Sequence, residues 1–284
     1  MSGVIAVLLA VIQPLWPADQ MPDAQPHQIA APSQERDRRD FDREAHRVPY
    51  LDWSERPVKP NGACVMIIPG GGYICTCDGP RFKPIERMLL TNGYACVWLW
   101  YRTPRPKGTH RIYRSAWQDG QRAVRLVRQA AKERGFDPER IGVTGCSAGS
   151  HLAVLLATSA LTPAYRPIDE VDALSCHVNW AMPFCPAFVL TDGLKTPNLK
   201  GGEGPDVRID DCFKFDAKTA PMCLFHGLKD EYSPNASRRL AERLTQMGVP
   251  VETHFDPDRG HGMYEVERRF VLALESMRKQ GYDR

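Results

Sequence analysis

Gly145-Cys146-Ser147-Ala148-Gly149 sets a serine between two glycines in the pattern G-x-S-x-G. A serine hydroxyl is a weak nucleophile until a neighbouring base takes its proton. The glycines suit a sharp turn that lifts the hydroxyl clear of the backbone, provided that a strand enters the turn and a helix leaves it. The pattern around them meets both conditions: Ile141–Thr144 is a short apolar run, and Ala148–Ala160 is alanine-rich with a leucine–valine stripe. The simpler alternative is a strand-to-helix turn in which Ser147 only caps the helix.

Eight histidines could supply the base. His261, in Arg259-Gly-His-Gly-Met263, follows an expected strand at Val251–Phe255 and precedes an expected helix at Met263–Gln280, so it lies on a loop at a strand's carboxyl end. His27 and His46 fall in a polar N-terminal arm, His110 in a basic loop, and His151 one turn into the helix after Ser147. His177 and His254 read as strand residues, and His226 ends a strand.

An imidazole base needs an acceptor that fixes its tautomer and stabilises the imidazolium. Asp230 lies four residues past the strand Met222–His226, in His226-Gly-Leu-Lys-Asp-Glu-Tyr-Ser-Pro234. Its neighbour Glu231 is the runner-up. Asp256 and Asp258 are so close to His261 in sequence that the required geometry is harder to reach.

A fourth element, Pro69-Gly70-Gly71-Gly72-Tyr73, follows the apolar run Ala63–Ile68. Consecutive glycines let backbone N–H groups converge on one oxygen, as an oxyanion hole requires. The expected donors are the N–H groups of Gly71 and Gly72, with that of Ala148. A phosphate-cradling loop is the rival use for such a turn, but neither G-x-x-x-x-G-K-[ST] nor G-x-G-x-x-G occurs.

The elements that must hold these residues alternate. Ala63–Ile68, Tyr94–Trp100, Ile141–Thr144, His177–Phe184, Met222–His226 and Val251–Phe255 read as buried strands. Phe82–Thr91, Ala116–Arg134, Ala148–Ala160, Ala236–Met247 and Met263–Gln280 read as helices. Alternation of this kind implies βαβ units, a mostly parallel sheet and one domain. Residues 187–220 have no clear period and contain Gly201-Gly-Glu-Gly, which suggests an insertion or lid beside the site.

The chain has 284 residues, of which 43% are apolar and 25% charged, enough to bury a core. That composition excludes a disordered chain, a collagen-like fibre and a polytopic membrane protein. A net charge of +3 gives no reason to expect nucleic acid or anionic lipid as a partner. Nine cysteines are too few for a disulfide scaffold, and Cys64, Cys96 and Cys223 sit in apolar runs as packed thiols. Cys75-x-Cys77 is the only tight pair, and it lacks the C-x₂-C spacing of a zinc or redox site.

Val4–Ile12 is an apolar run too short to span a bilayer but long enough for a leader's hydrophobic region. No Lys or Arg precedes it, and Trp16 stands two residues before the small Ala18. The reading is a possible signal peptide at 1–18, an N-terminal arm or linker at 19–59 and a catalytic domain at 60–284. Export to a secreted or periplasmic location is then expected, with the cytoplasm as the alternative.

Four segments, IIPGGGY, Tyr101-Arg102, GCSAGSHLA, and HGLKD with RGHGM, resemble the α/β-hydrolase superfamily from about residue 60 to 280. So does the chain order Ser147, Asp230, His261. Within the superfamily they are similar to the esterases that span hormone-sensitive-lipase-like enzymes and bacterial acetylxylan or feruloyl esterases. Pro69 stands where the lipase-like motif has histidine, Ser150 where a further glycine is common, and Ser233 where an apolar residue is usual.

The resemblance implies a three-layer α/β-hydrolase fold with a mostly parallel central sheet and no large cap domain. It implies a serine esterase with Ser147, Asp230 and His261 catalytic, Gly71, Gly72 and Ala148 as the oxyanion hole, and no metal or organic cofactor. The substrate it suggests is a small acyl ester or an acetylated oligo- or polysaccharide. Apart from the resemblance, Trp100, Trp180, Tyr73 and Tyr232 are candidate sugar-stacking rings, although aromatic residues near strands are more often core. The alternatives are a small-molecule carboxylesterase or lactonase, a peptidase of the same fold, and a hydrolase-fold binding protein without turnover.

Overall fold

A run such as Cys64-Val-Met-Ile-Ile68 has no polar face to give to water, so it is stable as a strand covered on both sides. The computed structural model describes residues 12–24, 48–77, 79–105, 111–191, 206–262, 270, 271, 273–275 and 278. In chain order the elements begin with β1 (Ile12–Pro14), β2 (Tyr50–Trp53), β3 (Cys64–Ile68), α1 (Gly79–Thr91), β4 (Ala95–Trp100) and α2 (Arg114–Arg134). Next come β5 (Ile141–Cys146), α3 (Ala148–Thr158), β6 (Trp180–Phe184), β7 (Leu190–Thr191) and β8 (Arg208–Ile209). The series closes with β9 (Met222–Gly227), α4 (Asn235–Gln246) and β10 (Val251–Asp256).

Among the described residues, eight strands form one sheet in the order β1-β2-β4-β3-β5-β6-β9-β10. β1 and β2 pair antiparallel at one edge, and every pairing from β4 to β10 is parallel. Side chains alternate between two cores, as the strand period requires. Cys64, Met66 and Ile68 pack with α2, α3 and α4, whereas Val65 and Ile67 pack with Phe82, Ile85 and Leu89 of α1 and with Phe270, Ala273 and Leu274. These are the three layers of an α/β-hydrolase fold.

The sheet takes in more of the N-terminal region than the sequence suggests. Tyr50–Trp53, inside the stretch read as a linker, pairs directly with β4. Ile12–Pro14, inside the stretch read as a leader, pairs with β2, and Leu15 and Trp16 are buried behind it. The sheet therefore draws on strands well before residue 60. Residues 1–11 and 25–47 lie outside the described residues, as do 192–205 of the expected lid. The expected last helix at 263–280 also lies largely outside them, although Phe270, Val271, Ala273, Leu274, Glu275 and Arg278 are helical. No helix among the described residues is long and apolar enough to cross a membrane.

A buried ion pair fastens this N-terminal segment to α2. Arg102 and Asp119 have fully buried side chains, with Nη2 and Oδ1 2.9 Å apart. The Asp119 carboxylate also accepts the Arg102 backbone N–H at 2.8 Å and the Trp16 indole N–H at 2.8 Å. Arg102 in turn donates to the Gln118 side chain and to the carbonyls of Pro22 and Ser115. Each charge is thus matched by hydrogen bonds, the condition under which burial is tolerated.

Removing one partner leaves the other buried and uncompensated. Asp119→Ala is expected to lower the unfolding free energy by about 3–5 kcal/mol, read by urea denaturation. A loss below about 1 kcal/mol, the range of an exposed pair, would contradict this account.

Candidate active site

Strand β5 ends at Cys146 and α3 begins at Ala148, so Ser147 alone makes the turn. It does so at φ 58°, ψ −121°, a left-handed conformation that costs a non-glycine residue on the order of 1–3 kcal/mol. The surroundings hold it there. Ser147 N–H donates to Phe184 O at 3.1 Å, and His151 N–H donates back to Ser147 O at 3.0 Å. The Ser150 hydroxyl, which stands in for a glycine of the resembled motif, lies 2.7 Å from Gly145 O and 2.6 Å from Phe184 O. Both glycines of the motif are demanded by contact, because a Cβ on Gly149 would fall 2.1 Å from Ile68 O and one on Gly145 2.7 Å from it.

The glycine turn leaves the neighbouring strand, β3, at the same end of the sheet. Gly71 and Gly72 have φ of 124° and 63°, and Tyr73 continues at 61°. Gly71 O accepts the N–H groups of Ile74 at 3.0 Å and Cys75 at 3.2 Å, and Gly70 O accepts that of Cys77 at 3.0 Å. Two tyrosines anchor the turn. Tyr101 donates its hydroxyl to Pro69 O at 2.9 Å, and the Tyr73 hydroxyl lies 2.8 Å from His151 Nδ1. Burial lowers the His151 pKa to about 3, so its ring is neutral and packs among Tyr73, Tyr113, Phe188 and Phe213. Ala148 opens α3, where an N–H has no partner within the helix and the helix dipole is positive. Gly71, Gly72 and Ala148 therefore belong to two turns that meet at the carboxyl ends of adjacent strands.

His261 and Asp230 come together as the sequence predicts. His261 Nδ1 lies 3.0 and 2.9 Å from the two Asp230 carboxylate oxygens. Gly227, ending β9, makes the approach possible, since a Cβ there would fall 2.2 Å from Arg259 O. Lys229 N–H then donates to that same carbonyl at 2.9 Å, joining the two loops. The runner-up acids are placed elsewhere: Glu231 is exposed, Asp256 accepts the backbone N–H of Asp258, and Asp258 pairs with Lys229 at 3.1 Å.

Asp230 has a second imidazole, which sequence reasoning assigned only to a strand end. His226 Nε2 lies 3.2 Å from Asp230 Oδ2 and 2.9 Å from Tyr232 O, so this nitrogen carries the proton; its Nδ1 faces Ser237 Oγ at 2.8 Å. Tyr232 N–H adds a third donor to Asp230 at 2.8 Å. Burial pushes the Asp230 pKa up, but the hydrogen bonds from His226 and His261 outweigh it and hold the carboxyl well below the usual carboxylate range. An ionised Asp230 keeps the proton of His261 on Nδ1 and leaves Nε2 as the basic nitrogen. The four-residue spacing of His226 and Asp230 in HGLKD was the available signal.

Cys185 was also missed. Its backbone sits at φ 48°, its Sγ lies 3.3 Å from Gly262 O, and burial together with the Asp230 charge pushes the thiol up to about 12. Cys185, Asp230 and His261 offer donor atoms within 4.8 Å of one another, as do Cys223, Glu252 and His254. A cation in the first set would have to break the Asp230–His261 hydrogen bond.

Three of the four candidate stacking rings belong to the core, since Trp100, Trp180 and Tyr73 are 5%, 1% and 1% exposed. The strands of Trp100 and Trp180 are covered on both faces, so aromatic residues there pack inward, and Tyr73 is buried in the turn after β3. Tyr232 is half-buried, with its ring centroid 4.6 Å from that of His261, and it borders an apolar recess with Pro186, Phe188, Val189, Leu190, Ser233 and Ala236. Among the other histidines, His254 stacks on Phe225 at 4.8 Å, while His27, His46 and His110 lie outside the described residues.

The chain as a whole is similar to known proteins. The acetyl ester-xyloside bifunctional hydrolase of Caldicellulosiruptor lactoaceticus superposes with a TM-score of 0.73 at 26% identity, over 99% of this chain and 99% of that one. This chain has the α/β-hydrolase fold. The BD-FAE family model matches residues 54–174 of this α/β-hydrolase. Esterase LipQ of Mycobacterium tuberculosis is 28% identical over 76% of the chain and 54% of its own length. The acetylxylan esterase of Xylanibacter ruminicola is 27% identical over 51% of the chain and 30% of its own length. The α/β-hydrolase thus spans about half the length, or less, of these curated relatives.

The depressed pKa of Asp230 links stability to pH. An unfolded aspartate titrates near 3.9, so the ionised carboxylate favours the folded state above that pH, and its contribution is lost as pH falls toward the lower folded value. Asp230→Asn is expected to fold at neutral pH and to flatten the fall in stability below about pH 4, measured by urea unfolding across pH. A variant curve parallel to the wild type would show that the carboxylate carries no such linkage.

Proposed function

We propose that this α/β-hydrolase is a serine carboxylic-ester hydrolase that removes short acyl groups, first of all acetyl groups from carbohydrate. The observation that carries the reading is the Asp230–His261 hydrogen bond at the sheet end where the Ser147 turn and the glycine turn also meet. In the proposed mechanism, Ser147 Oγ attacks the ester carbonyl while His261 Nε2 takes its proton. Asp230 holds the imidazole in that tautomer and stabilises the imidazolium. The N–H groups of Gly71, Gly72 and Ala148 receive the charge that develops on the carbonyl oxygen. His261 then protonates the departing alcohol and, in the second half-reaction, activates the water that releases the acid. Every role is filled by the chain's own groups.

The apolar recess bounded by Phe188, Leu190 and Tyr232 is consistent with a small acyl group. The names of two similar proteins, an acetylxylan esterase and an acetyl ester-xyloside hydrolase, favour acetylated sugar. One observation favours a second reading, a small-molecule carboxylesterase: the burial of Trp100, Trp180 and Tyr73 removes three of the four rings that could have bound a sugar chain.

Acetate release from acetylated xylan and hydrolysis of a small acetyl ester, wild type beside Ser147→Ala, separate these readings. Release from both substrates that disappears in the variant is the expected result. Hydrolysis of the small ester alone would select the second reading, and no Ser147-dependent hydrolysis of either would overturn both. Ser147→Ala and His261→Ala are each expected to lower kcat by about 10⁴ or more, and the double variant little further, because the two act as a unit.

A further inference from the structure

Two of the nine cysteines differ in setting from the rest. Cys64, Cys96, Cys146, Cys176, Cys185, Cys212 and Cys223 are buried, and burial pushes the thiols of Cys64, Cys96 and Cys223 far above the usual range. Cys75 and Cys77 are half-buried, open to small reagents in solvent. Their sulfurs lie 3.9 Å apart. Both lie in the turn segment that follows β3.

We propose that Cys75 and Cys77 form a redox modification site, a dithiol that closes to a disulfide and thereby resets the Gly70–Gly72 turn. Both cysteines are bonded to that turn through their backbones, Cys75 N–H to Gly71 O at 3.2 Å and Cys77 N–H to Gly70 O at 3.0 Å. The Cys75 thiol also lies 3.7 Å from Gly71 O. A disulfide needs its sulfurs at about 2.05 Å, so closing it draws Cys75 and Cys77 together. Gly71 has no slack to absorb the movement, since even a Cβ would fall 2.1 Å from Cys75 O. The displacement therefore reaches the Gly71 peptide, whose N–H is assigned to the oxyanion.

The oxidant is a low-molecular-weight disulfide such as oxidised glutathione. One cysteine thiolate attacks a glutathione sulfur, forming a mixed disulfide and expelling a glutathione thiolate. The second cysteine thiolate attacks the cysteine sulfur of the mixed disulfide and expels the other glutathione. Two electrons pass from the two cysteines to glutathione disulfide, and the two thiol protons end on the two glutathione thiols formed.

The test incubates the full chain with oxidised glutathione, alkylates remaining thiols and reads peptide masses. The expected result is a Cys75–Cys77 peptide two hydrogens lighter and unalkylated. With it, kcat on a small acetyl ester falls about tenfold with KM little changed, less than the hundredfold or more of losing an oxyanion donor outright. Dithiothreitol reverses both changes. Cys75→Ser/Cys77→Ser is expected to keep the kcat of the reduced wild type and to lose the response to oxidant. Alkylation of both cysteines after oxidation would overturn the proposal, as would a disulfide formed with kcat unchanged, or equal inhibition of the double variant. The activity arm rests on the ester-hydrolase reading. Should the reduced chain hydrolyse no ester, that reading fails, and the peptide mass alone decides for or against the disulfide.

Discussion

The carbonyl end of β3 lies against the first turn of α3 with no space for a side chain, and the site depends on that contact. A Cβ at Gly149 would stand 2.1 Å from Ile68 O and 2.6 Å from Pro69 O. The parallel pairing of Ile68 with Gly145 sets the height at which both strands end. Ser147 and the three glycines after Pro69 consequently leave the sheet side by side, with the positive end of α3 beside them. The strained backbone of Ser147 persists because Phe184 and Ser150 pin the turn from the adjoining strand and from the helix.

Two buried carboxylates extend that arrangement outward. Asp230, its side chain wholly buried, is ionised because two imidazoles and a backbone N–H point at it, and this fixes the basic nitrogen of His261. Asp119 plays a structural counterpart on the other flank. It binds Arg102 and Trp16, and the residue before Arg102, Tyr101, holds the carbonyl of Pro69. The N-terminal strand is thereby connected to the glycine turn through three side chains. Removal of either charge leaves donors buried without an acceptor, which is why each acid bears on more than its nearest neighbour.

The central strands, their helices and the Asp230–His261 pair were legible in the sequence because strands buried on both faces are continuous apolar runs. What escaped has physical reasons. Ile12–Pro14 and Tyr50–Trp53 are short antiparallel strands with polar members, so neither forms an apolar run. The same continuous burial that reveals strands hides function: Trp100 and Trp180 could not be told from surface rings by type alone. His226 reads as a strand residue, and only the turn after β9 brings its Nε2 onto Asp230. The turn that carries Cys75 and Cys77 has three successive positive φ values at Gly71, Gly72 and Tyr73, of which only the glycines give warning.

The central claim is that Ser147 is an activated nucleophile, and covalent labelling tests it without a choice of substrate. The chain would be treated with a fluorophosphonate probe at neutral pH and the adduct located by peptide mass mapping. The account predicts a single adduct on Ser147, with labelling greatly slowed in His261→Ala. An unlabelled Ser147 in the folded wild type, or labelling that is as fast without His261, would contradict it.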